Sequence, residues 1–203
     1  MRVHAKFLLS ATDAAQFPVP GPPEIAFIGR SNVGKSSVLN SLVGEKIART
    51  SSTPGRTRTI NFFEIRRPGQ PSADFVFADL PGYGYARVPR EMMADWPLFI
   101  EPYLTQRGPL ALCVALIDAN VPPQENDRQM VDWLRHNQRS FLVVATKSDR
   151  LSGNKLPQAL RRLRDELQVD SPLPYSARTG AGRDELWQGI RKACARQNET
   201  LAG

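Results

Sequence analysis

Gly29-Arg30-Ser31-Asn32-Val33-Gly34-Lys35-Ser36 fits the pattern G-x-x-x-x-G-K-[ST] at each of its fixed positions. The flanks decide how it is read. Ile25-Ala26-Phe27-Ile28 is a short apolar run of the kind that forms a buried strand. From Lys35 to Val43 the apolar residues Val38, Leu39, Leu42 and Val43 recur at helical spacing. Strand, glycine-bounded loop and helix therefore follow in order. A polyphosphate needs several backbone N–H groups turned toward it, and Gly29 and Gly34 permit conformations and approaches that a Cβ would block. Lys35 can reach the terminal phosphates, the Ser36 hydroxyl can ligate Mg²⁺, and the helix N-terminus favours the anion.

Outward from this loop, strands alternate with helices. Residues 1–23 read as an N-terminal extension lying across the core surface, because Pro18-Val19-Pro20-Gly21-Pro22-Pro23 suits neither helix nor central strand. Gly44 is a plausible helix cap, and Glu45 to Arg58 reads as a long polar loop. Thr59 to Ile65 and Phe75 to Ala78 form a predicted hairpin around Pro68-Gly69. Helical pieces around Glu91 to Arg107 are broken by Pro97 and Pro102. Leu110 to Ile117 and Phe141 to Ala145 are unbroken apolar strands, which suits burial on both faces. Helices follow from Gln124 to Asn137, from about Leu156 to Leu167 and around Leu186 to Cys194, with a short strand at Pro174-Tyr175. The expected fold is an α/β three-layer domain of about six mostly parallel strands, with one antiparallel hairpin strand and helices on both faces. Residues 1–203 read as one domain, because no linker divides them.

Composition narrows the setting. Cys113 and Cys194 show neither zinc spacing nor a disulfide framework, which fits a reducing cytoplasm. Phe7-Leu8-Leu9 is too short for a signal peptide, and no run approaches a membrane span. His4 and His136 have no metal-ligand spacing with the cysteines, and Asp118 reads as a local strand-end cap. Net charge is +7. The charge is clustered: Lys46, Arg49, Arg56, Arg58, Arg66 and Arg67 stand against Glu64 alone, and residues 150–164 carry five bases and no acid. A phosphate-rich partner follows, with a solvated basic face as the alternative.

Four further loops lie at strand ends, where α/β sheets bind ligands. Thr57 can give Mg²⁺ a second hydroxyl if its loop closes over the γ-phosphate. Asp79 can hold Mg²⁺ through water, and the Gly82 N–H can contact the γ-phosphate. Asp149 can accept both the ring N–H and the exocyclic amine of guanine, a donor pair that adenine lacks at that edge. Lys147 would lay its stem along the base, and the Ala177 N–H could donate to the guanine carbonyl.

Taken together, GRSNVGKS, TPGRT, DLPG, TKSD and YSA resemble the five guanine-nucleotide motifs of a small GTPase domain. The longer phrases GRSNVGKSS, TPGRT followed by INFF, DLPGYGYA and EPYL resemble the EngB family of bacterial GTPases over roughly residues 7–197. The resemblance implies hydrolysis of GTP to GDP and phosphate by a nucleotide-dependent switch. It also implies a role in assembly of the large ribosomal subunit, with a link to cell division and septation. Carried over by motif, Gly29, Arg30, Ser31, Asn32, Val33, Gly34, Lys35 and Ser36 bind the phosphates, and Ser36 and Thr57 ligate Mg²⁺ with Asp79 through water. Gly55, Arg56, Thr57, Arg58 and Thr59 form the first switch, and Asp79, Leu80, Pro81 and Gly82 the second. Thr146, Lys147, Ser148 and Asp149 hold the base with Tyr175, Ser176 and Ala177. Lys35, Thr57 and Gly82 are the candidate catalytic groups.

The chain departs from the common pattern in two places. Thr146 replaces the Asn of N-K-x-D and loses one amide contact to the base or phosphate loop. Tyr83 stands where many regulatory GTPases carry the glutamine that orients water, which predicts slow intrinsic hydrolysis unless Tyr83 merely packs. Asn32 makes K⁺ a candidate second cation, since a P-loop asparagine helps hold K⁺ in related GTPases; Arg56 or Arg58 as an internal arginine finger is the competing account. The expected partners are GTP or GDP and a large-subunit precursor, with no membrane, no DNA and no need for more than a monomer. A regulatory switch with a protein effector, or an RNA-binding protein merely stabilised by GTP, are the competing functions.

Overall fold

The computed structural model describes residues 2–48, 59–83 and 99–202, with side chains up to 197. The first-switch residues Gly55, Arg56, Thr57 and Arg58, and the Glu91 and Pro97 part of the broken helix, lie outside the described residues.

The strands are β1 (His4–Ala11), β2 (Glu24–Gly29), β3 (Ile60–Arg66), β4 (Phe75–Asp79), β5 (Leu110–Asp118), β6 (Phe141–Thr146) and β7 (Leu173–Pro174). They form one seven-stranded sheet in the order β1-β3-β4-β2-β5-β6-β7. The helices are α1 (Lys35–Val43), α2 (Glu101–Gln106), α3 (Glu125–His136), α4 (Lys155–Leu167) and α5 (Arg183–Ala202). β2 lies parallel between β4 and β5, and β3 runs antiparallel to both β1 and β4.

The sheet has one strand more than the expected six, and the reason lies in the N-terminal extension. His4–Ala11 does not lie across the core but pairs antiparallel with β3 as an edge strand. A bulge at Leu8 interrupts the register, and exposed Lys6 also stands on this strand. Bulges and lysines commonly protect a sheet edge from pairing with another chain. The sequence around Phe7 alternates too poorly to show this strand, because the pairing partner supplies what local pattern lacks. The proline-rich remainder is held by Arg107, which donates to the Pro18 carbonyl at 2.7 Å and to the buried Glu24 carboxylate at 2.5 Å.

Strand residues alternate between two apolar layers. Ala26 and Ile28 face the layer built with Tyr103, Leu104, Met130, Leu134 and Leu163 of α2, α3 and α4. Ile25 and Phe27 face Val38, Leu39 and Leu42 of α1 and Leu186, Trp187 and Ile190 of α5. All six residues of β2 are buried, as a central parallel strand covered on both faces requires. Trp187, fully buried, also donates its indole N–H to the Leu42 carbonyl at 3.2 Å, satisfying an end of α1. The consequence for function is that the β2 end, the phosphate loop and α1 are held rigidly from both sides.

Candidate functional site

The phosphate loop is shaped by two left-handed residues. Asn32 has φ +64° and Gly34 φ +102°, and asparagine tolerates that region better than most side chains. At Gly29 the constraint is space: a Cβ there would stand 2.8 Å from the Leu116 carbonyl oxygen. Val33 is pegged into the core at 2 % exposure. Lys35 opens α1, so the helix N-terminus and the lysine face the same loop.

The segments expected to hold the base are tied directly to this loop. The Thr146 hydroxyl, fully buried at the end of β6, donates to the Val33 carbonyl at 2.7 Å. The shorter hydroxyl thus makes a contact of its own to the phosphate loop, where the sequence pattern lacks the Asn amide. Lys147, at φ +56°, donates from Nζ to the Asn32 carbonyl at 2.8 Å and to Asp118 Oδ2 at 2.7 Å. Asp118 is thus the counter-ion of Lys147 as well as the local cap of Asn120. Burial opposes its ionisation, but hydrogen bonds from Lys147 and Asn120 outweigh that and hold its carboxyl below the ordinary range. The signal that could have found it is its place at the C-terminal end of β5, in register with Thr146.

Asp149, Ser176 and the neighbouring Arg178 converge. Ser176 donates its hydroxyl to Asp149 Oδ1 at 2.7 Å, and Arg178 Nε donates to Oδ2 at 2.7 Å. These two donors, Ser176 first, lower the Asp149 pKa, so the carboxylate is ionised and aimed. Each oxygen retains lone-pair capacity for a further donor. The Ser148 N–H donates to the Tyr175 carbonyl and the Tyr175 hydroxyl to Ser41 Oγ at 3.1 Å, which fixes Tyr175-Ser176-Ala177 beside Lys147-Ser148-Asp149.

At the end of β4, Lys35 Nζ forms an ion pair with Asp79 Oδ1. Asp79 terminates β4 in register with Phe27, and Leu80, fully buried, donates its N–H to the Phe27 carbonyl. Pro81 and Gly82 lead to Tyr83, which bridges in parallel to Arg30. Ser36 lies in the first turn of α1. Of the first switch only Thr59 is described, with its hydroxyl donating to Asn61 Oδ1 at 3.2 Å.

Two further residues shape the site and were not singled out by sequence. Asn40 accepts from the N–H groups of Ile47 and Ala48 and donates to the Ala48 carbonyl, setting where the chain leaves for the first switch. Asp127, fully buried, receives Arg30 and the Tyr83 hydroxyl. Its position three residues after Gln124 reads as a helix cap, and only the packing shows what else it holds.

Among the described residues no helix is long and apolar enough to cross a membrane. A family model described as "50S ribosome-binding GTPase" matches residues 24–147. The chain is 59% identical over its full length to the probable GTP-binding protein EngB of Koribacter versatilis, covering all of that protein. It is 50% identical to the protein of the same name in Acidobacterium capsulatum, over 99% of this chain and 96% of that one. The crystal structure of a probable GTP-binding protein EngB superposes with a TM-score of 0.69 at 23% identity, covering 85% of this chain and 99% of that one, which speaks for the fold. Era solved with MgGDPNP and nucleotides of 16S ribosomal RNA is similar at a TM-score of 0.66 and 25% identity, over 84% of this chain and 56% of that one. The matched family, the full-length relatives and the strand-end loops gathered around one phosphate cradle agree, and the chain belongs to the EngB family of P-loop GTPases.

Proposed function

We propose that this single-domain GTPase acts in the cytoplasm as a timer in assembly of the large ribosomal subunit, on which normal septation depends. GTP orders the switches, the ordered form docks on the precursor through basic surface, and hydrolysis releases it. The observation that carries the nucleotide reading is the pair of bonds from Thr146 to Val33 and from Lys147 to Asn32. They join the base reader and the phosphate cradle into one rigid site. For the partner, Arg150, Lys155, Arg161, Arg162 and Arg164 are all exposed on and beside α4, and the first four form no ion pair with a described residue. A phosphate backbone would engage Arg150, Lys155, Arg161 and Arg162 without requiring them to give up an ion pair with a described residue.

In this reading Lys35 leaves Asp79 to pair with the β- and γ-phosphates, and the Gly82 N–H turns toward the γ-phosphate. Asp149 with Ser176 and the Ala177 N–H reads guanine. Mg²⁺, when bound, would neutralise charge on the phosphate oxygens. The donor set fits it, since Ser36 and Asp79 offer hard oxygens and Mg²⁺ takes only one or two protein oxygens beside phosphates and water. Thr57 is the proposed second direct ligand beside Ser36, with Asp79 acting through water. A phenol at position 83 does not orient the attacking water as a glutamine amide does, and slow intrinsic hydrolysis follows. K⁺ beside Asn32 would supply the missing positive charge. Turnover that is equal in K⁺ and Na⁺ buffers would exclude it.

The test is co-sedimentation of the protein with large ribosomal subunits in K⁺ buffer, with a non-hydrolysable GTP analogue or with GDP. Retention with the analogue alone, weakening steeply as salt rises, is the expected result. Retention in neither tube would reject the ribosomal partner in favour of a protein effector in division.

A further inference from the structure

Asp127 is the N3 residue of α3 and has no exposed surface. Three parts of the molecule meet on its carboxylate. Arg30, from the phosphate loop, donates from Nε to both oxygens at 3.0 Å. Tyr83, just beyond the second switch, donates its hydroxyl to Oδ1 at 3.2 Å. The Gln124 N–H, from the start of α3, donates to Oδ2 at 2.9 Å. Burial, then the negative charge of Asp127, pushes the Tyr83 phenol well above its ordinary pKa, so it remains a neutral donor.

The Tyr83 backbone is docked as firmly as its side chain. Ser31 N–H donates to the Tyr83 carbonyl at 3.0 Å, and Tyr83 N–H donates to the Gly29 carbonyl at 3.2 Å. A Cβ on Gly82 would stand 2.9 Å from Ser31 Oγ and 3.1 Å from Ser31 N, so the segment lies directly against the loop. At its other end the same segment is tied to the loop through Asp79 and Lys35. The second switch is therefore fastened to the phosphate loop at both ends, through Asp79 on Lys35 and through Tyr83 on Gly29 and Ser31. A diphosphate asks nothing of Gly82.

Building on the phosphate-site reading above, we propose that Tyr83 and Asp127 form a latch that sets the discrimination between di- and triphosphate. The Tyr83 hydroxyl on Asp127 parks the second switch on the loop, and the third phosphate is accommodated as that bond is given up. Apparent triphosphate affinity is then reduced by the fraction of molecules already unlatched, while diphosphate affinity is not. Tyr83 and Asp127 are positioning residues in this scheme, since neither touches nucleotide.

The experiment uses the full chain with Mg²⁺ and measures the Kd of GDP and of a non-hydrolysable GTP analogue by calorimetry, for wild type and Tyr83→Phe. The variant keeps the ring and removes only the hydroxyl. Loss of one hydrogen bond to a charged acceptor should tighten the analogue about tenfold to a hundredfold and leave GDP within about twofold. Asp127→Asn, with folding monitored by thermal unfolding, should shift the ratio in the same direction, because the amide keeps the cap but loses the charge that draws the phenol. An unchanged or raised ratio of analogue Kd to GDP Kd in Tyr83→Phe overturns the latch while leaving the site reading intact. Wild type that binds neither nucleotide overturns the site reading and the latch together.

Discussion

At the base end of the site, Thr146, Lys147 and Ser148 direct their hydrogen bonds to other parts of the site: to Val33, to Asn32 and Asp118, and to Tyr175. At the phosphate end, Lys35, Asp79 and Tyr83 are satisfied by one another, by Ser31 and by Asp127. The first arrangement needs only a base to complete it. In the proposed function the second exchanges partners as phosphate and metal enter. In the proposed reading, guanine recognition is preorganised, whereas sensing of the third phosphate rests on competition between internal and ligand bonds, which is how a small chemical difference becomes a conformational one.

The contrast can be broken most forcefully at Lys35. Lys35→Ala should weaken both GTP and GDP by about 3 kcal/mol, roughly a hundredfold, since it removes a charge-assisted contact to phosphate. Fluorescent-nucleotide titration reads this directly, and preference for guanine over adenine should survive because the base end is built separately. Asp149→Asn tests the reverse: overall phosphate affinity should hold, while the GTP-to-ATP preference in competition falls about tenfold to a hundredfold. If preference survives, the base is read elsewhere.

Asp118→Asn acts one step back from the base. It leaves Lys147 without its counter-ion, and GDP and GTP should weaken equally, by about tenfold. A change confined to GTP would contradict the separation of the two ends. The same variant has a pH signature. Asp118 is held below the unfolded value of about 3.9, so its contribution to stability is fully present above that pH and is lost as pH falls through the depressed folded value. The difference in unfolding temperature between wild type and Asp118→Asn should accordingly be constant from neutral pH to about pH 5 and shrink in stronger acid. Thr146→Val has the smallest expected effect: it removes a buried donor to Val33 for about 1 kcal/mol, lowering Tm by about 2–4 °C and guanine-nucleotide affinity by less than about tenfold.

Much of this was legible from residues alone. The strand before Gly29, the helix after Lys35 and the buried runs at β5 and β6 lie where apolar periodicity places them. Trp187 is a core residue, as its helical face implies. Illegible were the edge strand at His4–Ala11, whose irregular pattern is rescued by pairing with β3, and the double duty of Asp118 and Asp127, each of which reads as a cap. A cap and a buried counter-ion look alike in sequence, because both are single carboxylates at the end of an element. The first-switch residues around Thr57 lie outside the described residues, and Thr59 alone links them to β3.

The sequence by itself determined the local chemistry: a glycine-bounded loop with lysine and serine at its end, carboxylates at strand ends, and a tyrosine in place of glutamine. Such features depend on neighbours a few residues away, which backbone propensity and spacing encode. Tertiary structure alone decided who pairs with whom. Thr146 meets Val33 across 113 residues, Arg30 meets Asp127 across 97 and Tyr83 meets it across 44. Those meetings follow from the parallel register of β2, β5 and β6 and from the packing of α3, which convert sequence distance into contact. The register sets Asp118 beside Thr146 and so delivers Lys147 to its counter-ion, a result no local spacing contains.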